Sequence, residues 1–200
     1  MRNVSPHALW WDRVAMSSAK ISWKDVKPVL AGLSSTQLLG LVQDLYRLNT
    51  ESASFIHARF LRDDIKQGHL APYMTRIQGA ISPKQPWKQD VKLAEGRKAI
   101  SEFKKANGNI HDTLTLMIYY VKCGNDFTLE FGDIDERFYD SLCSMFSSVV
   151  QTLLKQQDQG LFAEFLPSLE AELQRVDSKI GWGYPDELSD YLADLKDAFE

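Results

Sequence analysis

The chain has 200 residues, 44% of them apolar and 25% charged, with a net charge of −4, which allows a buried core in one or two domains. It contains no run of about 18 apolar residues and no long apolar stretch near its start. We therefore expect a cytoplasmic protein, with neither a membrane-spanning helix nor a secretory signal. Its two cysteines lack zinc-motif spacing, and in a reducing compartment they predict neither a disulfide scaffold nor a metal site.

Apolar residues recur at helical spacing along nearly the whole chain, and this periodicity predicts an all-α protein of about eight helices. We expect antiparallel hairpins, arranged either as an irregular bundle or as a short helical-repeat array. We interpret residues 1–21 as an N-terminal extension, residues 22–82 as an N-terminal helical subdomain and residues 83–200 as a C-terminal one. The last two could also form one continuous domain. The segment 82–88 contains two prolines and is therefore the predicted boundary.

Capping signals predict the first two helices. Ser22 with Asp25, and Ser34 with Gln37, have the spacing of capping boxes. The first helix should end near Gly32. The second carries an aliphatic stripe, which predicts a face turned towards the core: Leu38, Leu41, Val42, Leu45 and Leu48.

The later helices have similar signals. A helix over 63–79 should kink or restart at Pro72. A helix capped by Asn109 should end at Gly124, a left-handed C-terminal glycine. Asp133 should cap the longest helix, which reaches about residue 157 and has a stripe wide enough for a central position. Pro185 suits the first position of the last helix.

Two phrases combine rings, glycines and acids. They are residues 117–139, MIYYVKCGNDFTLEFGDIDERFY, and residues 180–190, IGWGYPDELSD. Both phrases resemble those of a family of small, all-helical bacterial proteins of unknown function, and the likeness covers about 22–195. The resemblance implies an all-α fold and a cytoplasmic bacterial protein, and it supplies no catalytic residue.

We expect the two phrases to meet, because buried ring donors need acceptors that carboxylates supply. Trp182 or Tyr184 should cover the start of the helix that opens at Asp133. The rings could be a structural latch and the acids helix caps, or both could contact a ligand. The candidate binding residues are Glu130, Asp133, Asp135, Tyr139, Trp182, Tyr184, Asp186 and Glu187.

Charge is distributed unevenly, with +8 over residues 1–125 and −12 over residues 126–200. Opposed faces of this kind attract partners, or the two halves neutralise each other in the fold. No catalytic or cofactor motif is present. The leading hypothesis is therefore a non-enzymatic protein-interaction or scaffold module. One alternative is a small-ligand binder or enzyme using 126–139 and 181–190. A weaker one is nucleic-acid binding through the basic segment 84–105.

Overall fold

The computed structural model describes residues 21–61, 68–86 and 88–199. Within these ranges it contains nine α-helices and no strand, which confirms the all-α prediction. The extension predicted at the N-terminus lies outside the described residues, apart from Ile21. The helices are α1 (Trp23–Ala31), α2 (Ser35–Leu48), α3 (Thr50–Phe60), α4 (Ala71–Ile81), α5 (Leu93–Ala106), α6 (Ile110–Phe131), α7 (Glu136–Gln156), α8 (Gln159–Val176) and α9 (Tyr184–Asp197).

The chain divides after Leu48 into two units. The described part of the first unit contains α1 and α2, and neither helix has a buried residue. Both predicted capping boxes are present. Asp25 Oδ2 accepts from the Ser22 backbone at 2.7 Å, and Gln37 Oε1 accepts from the Ser34 backbone at 2.8 Å.

The apolar stripe of α2 was predicted to face the core, and this prediction is wrong. Leu41 is half-buried, and the other members are exposed: Leu38, Val42, Leu45 and Leu48. The helical period that placed these residues on one face is present. The period does not determine which surface covers that face, and the described residues of the first unit provide no core for it.

The second unit is built around α6. This helix packs against α4, α5, α7 and α8, while α9 packs on α7 and α8, and α3 on α5. Twelve of the 22 residues of α6 are buried, including Leu114, Tyr120 and Phe127. The longest of the described helices is therefore α6, with 22 residues against 21 for α7, so the prediction that the helix after Asp133 is the longest is wrong. The prediction that this helix touches neighbours on more than one side is confirmed, because α7 packs on both α6 and α9.

The prediction that Gly124 ends a helix is also wrong. Gly124 lies inside α6, which continues to Phe131 and stops at Gly132, whose φ is +89°. A Cβ atom at position 124 would overlap the side chain of Leu142 on α7. Glycine is needed here because α6 and α7 approach each other closely. In the sequence, a glycine required for close packing looks the same as a glycine that ends a helix.

Pro72 lies at the start of α4, and the proline-containing segment 82–88 follows its end. Pro72 lies in the first turn of α4, which confirms a restart there, while residues 62–67 of the predicted helix lie outside the described residues. The division after Leu48 differs from the boundary expected at 82–88. Helices α4 and α5, on either side of that segment, pack on each other within the second unit.

Candidate functional site

The two phrases of the sequence do meet, at the N-terminal ends of α7 and α9. The ring of Tyr139 lies 5.4 Å from the ring of Tyr184 and 6.5 Å from that of Trp182, measured between centroids. Tyr184 is buried, with 1% of its surface exposed, whereas Trp182 is 61% exposed. Tyr184 is therefore the ring that covers the start of α7, and Trp182 lies outside it.

Asp133 and Asp135 have different roles from those the sequence predicted. Asp135 is the N-cap of α7, and its Oδ1 accepts from the Phe138 backbone N–H at 2.8 Å. Asp133 does not cap the helix, and instead accepts a hydrogen bond from the Tyr139 hydroxyl at 3.0 Å. The two acids are two positions apart in the sequence, and only the structure shows that α7 starts at Glu136.

A polar chain runs from the buried Tyr184 of this junction towards the surface. The Tyr184 hydroxyl donates to Asn125 Oδ1 at 2.7 Å, and Asn125 Nδ2 donates to Glu172 Oε2 at 2.9 Å. Arg175 donates to both oxygens of Glu172 and to Asp126. Burial disfavours the charged forms of both Asp126 and Arg175, but the bonds of Asp126 to Lys122 and Arg175, and those of Arg175 to Asp126 and Glu172, outweigh it. The pKa of Asp126 is therefore lowered and that of Arg175 raised.

This polar chain links α6, α8 and α9 and satisfies its own donors and acceptors. Burial raises the pKa of Tyr184 well above its ordinary value, so the phenol stays protonated and keeps donating to Asn125. The sequence alone does not single out Asn125, Glu172 or Arg175. The only local signal was the spacing of three residues between Glu172 and Arg175, which suits an ion pair on one helix.

Beside the polar chain is a small cavity of about 330 Å³, which we call the acidic-aromatic pocket. Of the eight candidate binding residues, Tyr139, Trp182 and Glu187 line it. None of its three carboxylates forms an ion pair with another described residue. The complete lining is Glu136, Tyr139, Asp140, Cys143, Trp182, Gly183 and Glu187.

The other five candidates do not line this pocket, although Asp133 and Tyr184 contact Tyr139 beside it. Asp186 lines a separate groove between α8 and α9, where Lys196 pairs with Glu170 at 2.6 Å. Glu130 is exposed near the end of α6. The pocket therefore contains three of the eight residues, together with Glu136, Asp140 and Cys143.

Cys143 is the one nucleophile in the pocket lining. Burial and the neighbouring Glu187 carboxylate raise the pKa of its thiol. Burial also raises the pKa of Cys123 to about 11. Thiolate is the reactive form, so at neutral pH neither cysteine is activated for nucleophilic catalysis.

The largest exposed apolar surface lies elsewhere, on the first unit. Of the 16 large hydrophobic side chains exposed among the described residues, ten lie between Ile21 and Leu48. Five of them are aliphatic side chains of α2, with exposed fractions between 38% and 70%, and we call this group the α2 apolar face: Leu38, Leu39, Val42, Leu45 and Leu48.

The basic side chains of segment 84–105 divide into a half-buried arginine and six exposed lysines. Arg97 donates to the Ser141 carbonyl at 2.7 Å and lies over the Tyr120 ring, so its guanidinium links α5 to α7 and α6. The lysines are exposed: Lys84, Lys88, Lys92, Lys98, Lys104 and Lys105.

Comparisons with family models, curated proteins and solved structures give no match to this chain. In the ranges that the structure describes, no group of three His, Cys, Asp or Glu side chains is arranged to hold a metal ion. None of the described helices combines the length and the apolar character needed to cross a bilayer.

Proposed function

We propose that this protein is a non-enzymatic protein-interaction module and that the α2 apolar face is its binding surface. One observation carries the proposal. The 14 residues of α2 form an amphipathic helix whose apolar side is exposed instead of buried. Contiguous exposed apolar surface of this kind is typical of binding sites on folded proteins.

The energetics of helices support the same proposal. Helices of 12–15 residues or fewer are marginal in water, and most helical stability in proteins comes from packing of the apolar side. No residue of α1 or α2 is buried, so the apolar side of α2 lacks that packing within the described part of its unit. Binding of another polypeptide along α2 would supply it, in the manner of a helix that packs into an apolar groove.

Photo-crosslinking in the native cell tests this proposal. A photoreactive residue at Leu39, the most exposed member of the α2 apolar face, should crosslink to a defined polypeptide. The same residue at the exposed Gln174 of α8 is the control and should give no such product. Equal labelling at the two positions would contradict the proposal. The cytoplasmic location and bacterial origin implied by the family resemblance remain predictions.

A second candidate function is binding of an organic cation in the acidic-aromatic pocket. Its three carboxylates have no cationic partner among the described residues, and Trp182 presents an exposed ring beside them. Trp182 also has a φ of +62°, in the left-handed region that costs a non-glycine residue about 1 kcal/mol or more. Carboxylates and an indole face together suit an ammonium or guanidinium group.

Titration with tetramethylammonium chloride, against sodium chloride at equal ionic strength, tests the second candidate. Binding should change the fluorescence of Trp182, and the Trp182→Phe variant should lose that signal. Glu187→Gln should weaken the binding, whereas Asp186→Gln, which changes an acid outside the pocket, should not. An identical response to the two salts would exclude a cation site.

A further inference from the structure

We infer that the α2 apolar face binds a second copy of this chain, so that two α2 helices pack against each other across a two-fold axis. This inference rests on the proposed interaction function and names the partner. It follows from the charge of the surface, from its area and from the symmetry that a single helix allows.

The charge of α2 favours an uncharged partner surface. Asp44 and Arg47 are the only charged residues of the helix, so its net charge is zero. At 100° per residue, the α2 apolar face covers about half of the helix circumference, and both charged residues lie outside it. A second copy therefore meets no like charge across the contact.

The same charge pattern disfavours other occupants. Helices that lie on anionic membranes have several Lys or Arg on their polar side, and nucleic-acid contacts need basic residues that neutralise phosphates. Around α2 the polar side offers one arginine, Arg47, balanced by Asp44. Interfaces between identical subunits are the more apolar class of protein interface, which matches a face without charge.

The area is sufficient when the rest of the first unit takes part in the contact. A fully exposed aliphatic side chain offers roughly 60–120 Å² of apolar surface, so the α2 apolar face alone offers roughly 150–300 Å² per copy. A two-fold contact centred on α2 therefore also includes the exposed apolar side chains that precede this helix, which bring the total to on the order of 1,000 Å², the lower bound for a specific interface: Ile21, Trp23, Val26 and Val29.

A single helix face can satisfy two-fold symmetry. In an isologous contact the same patch is used by both subunits, and a helix that crosses its copy near a two-fold axis provides such a patch. The 14 residues of α2 span about 21 Å, and Val42 and Leu45 lie near the middle of that length. These two residues are therefore the expected centre of the contact.

Sedimentation equilibrium of the full-length protein tests the inference. We expect a concentration-dependent dimer for the wild type and at least 100-fold weaker association for Leu45→Glu. The matched control is Leu129→Glu on α6, because Leu129 is exposed to a similar extent and lies outside the first unit. This variant should dimerise like the wild type.

Disulfide crosslinking gives a second measurement. Under mild oxidation, Val42→Cys should form a covalent dimer and Leu129→Cys should not. Both native cysteines are buried and do not need to be removed. A dimer that survives Leu45→Glu, or that Leu129→Glu also disrupts, would place the interface elsewhere and overturn the inference.

The remaining outcomes separate the inference from the proposed function. A wild-type protein that stays monomeric up to millimolar concentration overturns the inference. If Leu39 still crosslinks to another protein in the cell, the proposed function stands. If Leu45→Glu instead lowers the melting temperature of a monomer, the face is covered within one chain, and both the inference and the proposed function fail.

Discussion

The Tyr184 hydroxyl donates a hydrogen bond to Asn125 Oδ1 at 2.7 Å, in a place where neither residue is exposed by more than 1%. This bond joins the first residue of α9 to the middle of α6, and so ties the end of the chain to the central helix. It is also the innermost link of the polar chain that reaches Asp126 at the surface.

Removal of this hydroxyl should destabilise the protein without changing its fold. Tyr184→Phe leaves the buried Asn125 oxygen without a donor, which costs about 1–3 kcal/mol. Tyr184→Ala also leaves a cavity and should cost about 3–5 kcal/mol. Urea unfolding followed by circular dichroism measures both values. A Phe variant as stable as the wild type would mean that the bond contributes nothing.

Trp182→Ala should have a much smaller effect. The ring is mostly exposed and its one described ring contact is the stacking on Tyr139, so we expect a loss of about 1 kcal/mol or less. The same urea experiment provides the comparison with Tyr184→Ala. A loss as large as that of Tyr184→Ala would show that the indole is part of the core.

Gly124→Ala tests the close approach of α6 and α7. The added methyl overlaps Leu142, so the variant should lose about 1–3 kcal/mol although alanine favours helix. Gly79→Ala in α4 is the matched control, because no atom lies within 4 Å of the added methyl, and it should gain about 0.5–1 kcal/mol. Thermal melts should show a lower melting temperature for Gly124→Ala and a higher one for Gly79→Ala. Equal shifts in melting temperature would refute the packing role of Gly124.

These glycines show what the sequence could predict about the fold. Caps such as Ser34 and Asn109 were predicted correctly because the groups that they satisfy are within four residues. Gly124 was misread because its role depends on Leu142, which is 18 positions away in the sequence and on another helix. Local chemistry is visible in a single sequence, and the packing of helices is not.

The candidate site shows the same limit. The contact between the two phrases was predictable, since rings with polar groups need partners. The orientation of the rings was not, because it depends on two successive left-handed residues, Trp182 and Gly183, that turn the indole away from the core. The partners of Tyr184 inside the bundle were equally hidden, since Asn125 and Glu172 come from two other helices.

The pair of His111 and Glu164 should make stability depend on pH. The Glu164 carboxylate, which accepts a hydrogen bond from His111 Nε2 at 2.8 Å, raises the pKa of His111 above 6.5. A group whose pKa is raised in the folded state stabilises the protein fully at pH values below its unfolded-state pKa. This stabilisation is lost as the pH rises through its folded-state pKa. Both side chains are well exposed, so the contribution should stay below about 1 kcal/mol.

Unfolding at pH 5.5 and at pH 8.5 measures this contribution. Glu164→Gln should be less stable than the wild type at the lower pH and nearly equal to it at the higher pH. Glu170→Gln on the same helix is the control, because its ion-pair partner is a lysine, Lys196, and not a histidine, so its effect should be the same at both pH values. A constant difference for Glu164→Gln would contradict the assignment.

The two native cysteines should be slow to react in the folded protein. Their pKa values are raised by burial, to about 11 for Cys123, so little thiolate exists at pH 8. Iodoacetamide should modify them fully only after unfolding, and an exposed cysteine placed at Leu129 should react within the native state. Mass spectrometry counts the added groups. Rapid modification of Cys143 in the native protein would show an activated thiol.

Hydrogen exchange of the α2 amides at two protein concentrations tests the central claim most directly, that another polypeptide completes the apolar side of this helix. In dilute solution the account predicts that residues 38–48 exchange far faster than the amides of α6, because the helix lacks packing of its own. At high concentration the second copy should protect them. Protection of α2 equal to that of α6 in dilute solution would show that the chain covers this face itself, and would contradict the account.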